Sequence, residues 1–263
     1  MHQYFNINYE FDKAEVDRRI EQQIRSGAPD YICVADGVIL NTANRKPDYL
    51  KVINGGMFAI CDSGYVPLYL KWIYGMHVEQ YTGSQIFEHI VRSRKYRMYF
   101  MGTSTKTLEG LRQHLLQLNP DVADMTFDAL PFRRVEDFDY EEIARKVEAD
   151  GADIIWVSLG APKQEYFMSR LKPHLKSGVM IAVGAAFKFY SGGVATQRAP
   201  QWMIDAHLEF VHRIVKEPKK QIKRCSWIVA QLPSMMLDEW KKKRKNNRKA
   251  RKHALSKKNP SRK

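Results

Sequence analysis

Asp153-Ile154-Ile155-Trp156-Val157-Ser158-Leu159-Gly160-Ala161-Pro162-Lys163-Gln164-Glu165 is the stretch on which the fold turns. Its first half is apolar with no polar alternation, the pattern of a parallel strand covered on both faces. Gly160 then permits a tight turn, and Pro162 suits the first position of a helix. The next apolar run, Val179–Val183, repeats the pattern after one helix-length of chain. Upstream, Tyr31–Val34, Val38–Thr42, Met57–Cys61 and Arg97–Met101 read as further strands. Lys13–Arg25, Ser84–Arg92, Thr105–Leu118, Tyr140–Glu148, Pro162–Leu171 and Pro200–Lys216 carry helical periodicity. Strands alternating with helices of this length predict βαβ units, hence an α/β, Rossmann-like, mostly parallel sheet with helices on both faces.

Ligands of such sheets bind at the carboxyl ends of the strands. Those ends read Asn41-Thr42-Ala43-Asn44, Cys61-Asp62-Ser63-Gly64, Met101-Gly102-Thr103-Ser104, Leu159-Gly160-Ala161-Pro162-Lys163-Gln164 and Val183-Gly184-Ala185-Ala186. Gly102, Gly160 and Gly184 let backbone approach a ligand closely. The helix start at Gly160–Gln164 presents unbonded N–H groups and a partial positive charge, which suits a diphosphate. It equally suits an ordinary turn with Lys163 and Gln164 in solvent. Asp62 could take a proton or cap the following helix, and capping is the commoner use of such a residue. Thr42 and Asn44 read either as short polar ligands or as a turn.

The chain has 263 residues and a formal charge of +14, but the charge is not spread evenly. Residues 241–263 hold 13 of the 43 Lys and Arg and no acid, so the other 240 residues carry 30 basic and 29 acidic groups. A like-charge block of this kind is expected to be a disordered polybasic tail that can bind any anionic surface. The near-neutral body argues against a basic nucleic-acid cleft, and no RNA-binding signature is visible, so a specific nucleic-acid partner is not expected. A nucleic-acid-binding protein acting through the tail is the alternative function. No G-x-G-x-x-G follows a strand, which disfavours a dinucleotide-dependent oxidoreductase. Cys33, Cys61 and Cys225 form no C-x-x-C pair and are expected as free thiols in a reducing compartment. The opening Met-His-Gln-Tyr-Phe-Asn does not read as a signal peptide. No run approaches the ~18–20 apolar residues of a membrane span. A cytoplasmic protein, soluble or peripheral, is expected.

Four segments occur in order: Thr42-Ala43-Asn44, Asp62-Ser63-Gly64, Gly160-Ala161-Pro162-Lys163-Gln164-Glu165 and Arg198-Ala199-Pro200-Gln201-Trp202-Met203. Leu208-Glu209-Phe210 with Arg213, and Glu217-Pro218-Lys219, follow. From about Val38 to Arg224 the chain resembles the WecG/TagA/CpsF glycosyltransferases, glycosyltransferase family 26. The resemblance implies a Rossmann-like domain (1–199) and a C-terminal helical, membrane-associating appendage (200–240), with the polybasic tail (241–263) outside it. It implies inverting transfer of an N-acetylmannosamine-type sugar or another hexose. The donor would be a UDP-sugar and the acceptor an undecaprenyl-diphosphate-linked sugar. The setting would be synthesis of teichoic acid, exopolysaccharide or a related cell-surface polymer, at the cytoplasmic face of the bacterial membrane.

By the same resemblance Asp62 matches the family's base, Thr42 and Asn44 its Thr-x-Asn, and Gln164 its Gln. Gly102, Gly160, Lys163, Gly184 and Lys188 would lie around the donor. Arg213, Lys220, Lys223 and Arg224 match the basic residues of the appendage. Two departures stand out. Asp62 precedes Ser63-Gly64 where many members have Gly-Ile-Gly, and Lys188 replaces a usual Asp, which points to a different or anionic donor sugar. The only Asp-x-Asp string, Asp137-Phe138-Asp139, lies in a charged loop before a helix rather than at a strand end. Metal-independent transfer without a cofactor is therefore expected, with helix N-termini and appendage cations stabilising the leaving diphosphate.

Overall fold

A computed structural model of the chain describes residues 2–192, 203, 215 and 218–258. Eight strands form one sheet: β1 (His2–Tyr4), β2 (Ile7–Tyr9), β3 (Asp30–Ala35), β4 (Phe58–Cys61), β5 (Met98–Gly102), β6 (Thr126–Asp128), β7 (Ile154–Ser158) and β8 (Val179–Ala182). Their order is β1-β2-β4-β3-β8-β7-β5-β6. Only β1 runs antiparallel to its neighbour. The helices are α1 (Lys13–Ser26), α2 (Gly37–Arg45), α3 (Pro47–Asn54), α4 (Val66–Tyr74), α5 (Gly83–Ser93), α6 (Thr105–Leu118), α7 (Tyr140–Asp150), α8 (Lys163–Leu171), α9 (Ala186–Tyr190) and α10 (Pro218–Lys258).

The period-two alternation of the central strands builds two cores. Tyr31, Cys33, Ala35, Ile155, Val157, Met180 and Ala182 face α2, α3, α4, α7 and α8. Ile32, Val34, Ile154, Trp156, Val179 and Ile181 face α1, α5, α6 and α9. Every residue of β7 and β8 is buried, as expected of central parallel strands. Cys33 and Cys61 are buried free thiols, and burial pushes the Cys61 thiol up to about 12.

Several elements differ from the sequence expectation. Val38–Thr42 is not a strand but the body of α2. Asp36 Oδ1 accepts from Val38 N (2.8 Å) and Ile39 N (2.9 Å), and this cap turns the short apolar run into a helix with Ile39, Leu40 and Ala43 inward. The hairpin β1–β2 escaped notice because its turn residues, Phe5 and Asn6, are not the usual glycines, although both adopt positive φ (50° and 64°). Edge strand β6 and helices α3, α4 and α9 are likewise outside the sequence expectation. The expected helix Pro200–Lys216 lies outside the described residues apart from Met203 and Val215.

The tail expected to be disordered is helical as far as Lys258. α10 runs 41 residues through Pro233, and the described residues 241–258 continue it. It lies alongside α4 in a parallel sense. Tyr65 and Tyr69 border one gap with Ile228, Leu232 and Met235, Tyr74 Oη donates to Glu239 Oε1 (2.7 Å), and Lys243 Nζ donates to Ile73 O. Glu239 is buried, with Lys242 Nζ 3.7 Å away and itself donating to Asn6 Oδ1 (2.6 Å). Its first basic residues are thus tied to the body by specific acceptors rather than left in solvent. Among the described residues, no helix is long and apolar enough to cross a membrane.

Candidate active site

The helices that follow β3 and β8 leave for opposite faces of the sheet, α2 packing Ile39 and Leu40 into one core and α9 packing Ala186 and Phe187 into the other, so the two strand ends bound a crevice. The carboxyl edge at that point is where open α/β sheets bind ligands. Ala35 and Asp36 arrive there from β3, Asp62 from β4, Gly184 from β8, Gly160 from β7 and Gly102 from β5.

Asp62 is half-buried, and its amide donates to Ala35 O (3.1 Å), which sets it beside the start of α2. It does cap a helix, but not the one that follows it. Oδ1 accepts from Gly83 N (2.9 Å), the first residue of α5, twenty-one positions later. Gln80 Nε2 holds the Asp62 carbonyl (2.8 Å). The carboxylate is therefore fixed from both its backbone and its side chain, and the partial positive charge of the α5 N-terminus faces it. Asp36, one strand over, is the residue that sequence reading missed. Taking Val38–Thr42 as a strand placed the strand end seven residues too late. The usable signal was Ala35-Asp36-Gly37 after Tyr31–Val34, an N-cap directly after a β run.

Thr42 and Asn44 are not at a strand end. Both sit in the second half of α2, and Asn44 is spent on structure. Its Nδ2 donates to Phe5 O (2.9 Å) and Leu40 O (2.8 Å), and its Oδ1 accepts from Asn6 Nδ2 (2.8 Å). Asn44 thus locks the β1–β2 turn onto α2, beside a cavity of about 230 Å³ that also borders Arg45, Gln231 and Lys242.

The glycine turns come together as expected, each for its own reason. Gly160 has φ +76°, and a Cβ there would meet nothing within 4 Å, so the turn opens onto free space. A Cβ on Gly184 would lie 3.9 Å from both amide atoms of Gln164. Ser158 Oγ donates to Gly184 O (2.7 Å), tying the ends of β7 and β8. Gly102 has φ +105°, and a Cβ would lie 2.4 Å from Ser158 O, a backbone atom that cannot give way. Gly102→Ala is expected to destabilise the fold by roughly 2–4 kcal/mol, combining a forbidden dihedral with a clash. Urea titration followed by circular dichroism checks this, and an unchanged midpoint would show that the β5–α6 turn relaxes freely. The next residue, Thr103, also has positive φ (55°), unusual for a β-branched side chain.

Gln164 is 3% exposed and fully engaged: Oε1 accepts from Gly160 N (3.1 Å), and Nε2 donates to Glu165 Oε1 (2.8 Å). Glu165 is itself completely buried, and Tyr49 Oη donates to its Oε2 (3.0 Å). Burial raises its carboxyl to about 7, against the lowering effect of these hydrogen bonds. Lys163 Nζ lies 5.2 Å from the Phe132 ring and 5.1 Å from the Phe138 ring. Phe132 is wholly exposed, an aromatic surface at the rim. Lys188 is exposed on α9, four residues past Gly184. Arg213 lies outside the described residues, and Lys220, Lys223 and Arg224 belong to the first turns of α10. Of the Asp-x-Asp string, Asp137 pairs with Arg134 (3.1 Å) and Asp139 caps α7 through Glu142 N (2.8 Å), so both carboxylates have structural uses.

A carboxylate fixed at the carboxyl edge of the sheet, a second carboxylate beside it and a glycine turn at Gly160 that opens onto free space make an arrangement suited to proton removal next to an anionic leaving group. Comparison with known proteins gives the class of reaction. An enzyme of Bacillus spizizenii strain W23 named N-acetylglucosaminyldiphosphoundecaprenol N-acetyl-beta-D-mannosaminyltransferase is 25% identical over 196 residues, 72% of each chain. The enzyme of the same name from Bacillus subtilis strain 168 is 23% identical over 199 residues, covering 72% of this chain and 75% of its own. Its namesake from Staphylococcus aureus strain MW2 is 22% identical over 193 residues, covering 72% and 73%. The model of the glycosyl transferase WecG/TagA/CpsF family matches residues 4–249, nearly the whole chain from the β1–β2 hairpin into the basic end of α10, and the protein is therefore a glycosyltransferase belonging to that family.

Proposed function

We propose that this glycosyltransferase moves a sugar from a UDP-sugar to an undecaprenyl-diphosphate-linked saccharide, with inversion, at the membrane surface. N-acetylglucosaminyl-diphospho-undecaprenol is the acceptor named for its relatives and the first acceptor to test here. The observation that carries the reading is the fixed Asp62 carboxylate at the carboxyl edge of the sheet, the same edge at which the Gly160 turn opens onto free space. Asp62 takes the proton of the acceptor hydroxyl as that oxygen attacks the anomeric carbon. The bond to the donor diphosphate breaks on the opposite face, and UDP leaves with the electron pair. The N-terminus of α8 and the appendage cations Arg213, Lys220, Lys223 and Arg224 offset the charge that develops on it. Asp36 lies on the acceptor side, beside Asp62, and takes over the positioning role that Thr42 and Asn44 would otherwise fill. Lys188 supplies a cation near the donor sugar and favours a uronic-acid donor over a neutral one.

The membrane role has its own support. Along α10, Ile222, Val229, Leu237 and Trp240 are exposed, and on α4 so are Leu68 and Trp72. The two helices run side by side, and these side chains fall on their outer surfaces, bordered by the basic run from Lys241. Such a face suits an anionic leaflet: apolar side chains enter the interface while Lys and Arg meet the headgroups.

The test is a panel of UDP-sugars, with N-acetylmannosamine and its uronic acid among them, offered with a lipid-diphosphate-linked GlcNAc acceptor and read as UDP release. Acceptor-dependent release from one of them is expected, and it should persist in EDTA. Release that vanishes in EDTA and returns with Mg²⁺ or Mn²⁺ would overturn the metal-independent part. Absence of release from every UDP-sugar would overturn the donor class.

A further inference from the structure

We infer that Glu165 is a positioning residue for the donor site: it fixes the orientation of the Gln164 amide, and through it the Gly160 turn, and its charge tunes diphosphate binding there. The inference rests on the donor reading above. The chain of contacts is short and buried. Tyr49 Oη on α3 donates to Glu165 Oε2 (3.0 Å), Gln164 Nε2 donates to Glu165 Oε1 (2.8 Å), and Gln164 Oε1 accepts from Gly160 N (3.1 Å). A side-chain amide has two nearly equivalent ends, and only its partners decide which end points where. Glu165, ionised or protonated on Oε2, accepts at Oε1 and so holds Nε2 toward itself. The oxygen is then left for the Gly160 amide, and this pins the turn that opens toward the ligand. A Cβ on Gly184 would meet the same amide at 3.9 Å, so the Gln164 side chain lies beside the ends of two strands.

A fully buried carboxyl is a costly way to orient an amide, since a neutral acceptor would do so without the desolvation of a charge. The ionisable groups that face Glu165 are Tyr49 from α3, Cys33 from β3 and Asp36 at the start of α2. None is cationic, and among the described residues no salt bridge offsets the charge. Burial raises the carboxyl to about 7, so its charge changes within the physiological range. The folded-state value is above the unfolded one. The stability this group contributes is therefore full below its ordinary value and is lost as pH rises through about 7. When ionised, it also places a negative charge behind the turn that receives the diphosphate, which opposes UDP binding.

The experiment uses the full chain and three variants, Glu165→Gln, Glu165→Leu and Gln164→Ala. UDP affinity is measured by calorimetry from pH 5.5 to 9, turnover over the same range, and the Gln164 side-chain amide is followed by nitrogen–proton NMR. Glu165→Gln keeps an acceptor for Gln164 and an N–H that Tyr49 Oη can accept, so it mimics the protonated state. It should retain turnover, bind UDP within about twofold of wild type at low pH, and bind it on the order of three- to tenfold tighter above pH 8. UDP ionises identically in both measurements, so the difference belongs to residue 165. The Gln164 amide signal should titrate with a midpoint near 7 in the wild type and stay flat in Glu165→Gln. Thermal midpoints should show Glu165→Gln gaining more at pH 8 than at pH 5. Glu165→Leu removes the acceptor and should weaken UDP binding about tenfold or more, as Gln164→Ala should, with Glu165→Gln as the rescue.

Parallel pH profiles of UDP affinity in wild type and Glu165→Gln, or a Gln164 amide signal that ignores both substitutions, would overturn the inference. The NMR and thermal readings need no ligand, so they decide the orientation and the titration even if Glu165→Leu does not fold. If the wild type fails to bind UDP while the amide still titrates, the donor reading and the tuning of diphosphate binding fail, and the orienting role stands.

Discussion

Replacing Asp62 by Asn is expected to lower turnover by about 10²–10⁴-fold while UDP affinity stays near that of the wild type. The substitution keeps size and shape. An Asn Oδ1 can still accept from Gly83 N, so the link between β4 and α5 at 2.9 Å survives and the fold should not change. What is lost is the ability to take a proton from the acceptor hydroxyl in the transition state. The loss should therefore appear in the rate constant rather than in donor binding. Steady-state kinetics with a lipid-diphosphate-linked acceptor, set beside calorimetry with UDP, separates the two. A variant that keeps more than about half its activity would return Asp62 to being only a cap of α5. Asp36→Asn, one strand away, provides the contrast: a positioning carboxylate should affect the acceptor KM more than turnover.

Removing residues 245–263 is expected to lower binding to anionic vesicles by about 100-fold or more at low salt, and to leave transfer to a water-soluble acceptor analogue intact. The cut removes nine Lys and Arg and no acid. Near an anionic leaflet each can contribute up to about 1 kcal/mol, falling off within a Debye length. The position of the cut follows from the fold. Lys242 and Lys243 donate to Asn6 and Ile73 O, and Arg244 lies over the Trp240 ring at 3.9 Å, so a cut at residue 240 would also loosen α10 from the body. Flotation at low and high salt is the measurement. Equal binding at both would show that the charges are not the anchor and leave the apolar side chains of α4 and α10 to carry it. Trp72→Ser tests that share directly, because Trp72 is 77% exposed and its loss costs the core nothing.

The sequence by itself determined the α/β class, the parallel central strands and the edge at which chemistry is possible. Unbroken apolar runs such as Ile154–Val157 and Met180–Val183 can be satisfied only between two helical layers. The glycines after them, Gly102, Gly160 and Gly184, mark strand-to-helix turns whatever the partners are. Family motifs supplied the glycosyltransferase reading and marked Asp62 and Gln164. Only the tertiary structure decided which residues share the site. The run Val38–Thr42 is apolar at a length that suits strand or helix equally, and the Asp36 cap decides for helix. That cap leaves the strand end at Ala35 and Asn44 holding a hairpin 38 residues upstream. Asp62 capping α5 rather than α4 is likewise a contact across 21 residues that no local pattern encodes. The basic tail shows the same limit. Composition predicts self-repulsion and disorder, but Asn6, Ile73 and Tyr74 offer the acceptors and rings that let its first residues continue a helix. Local patterning fixes the period of each segment, whereas caps, buried acceptors and partners distant in the chain settle its conformation and use.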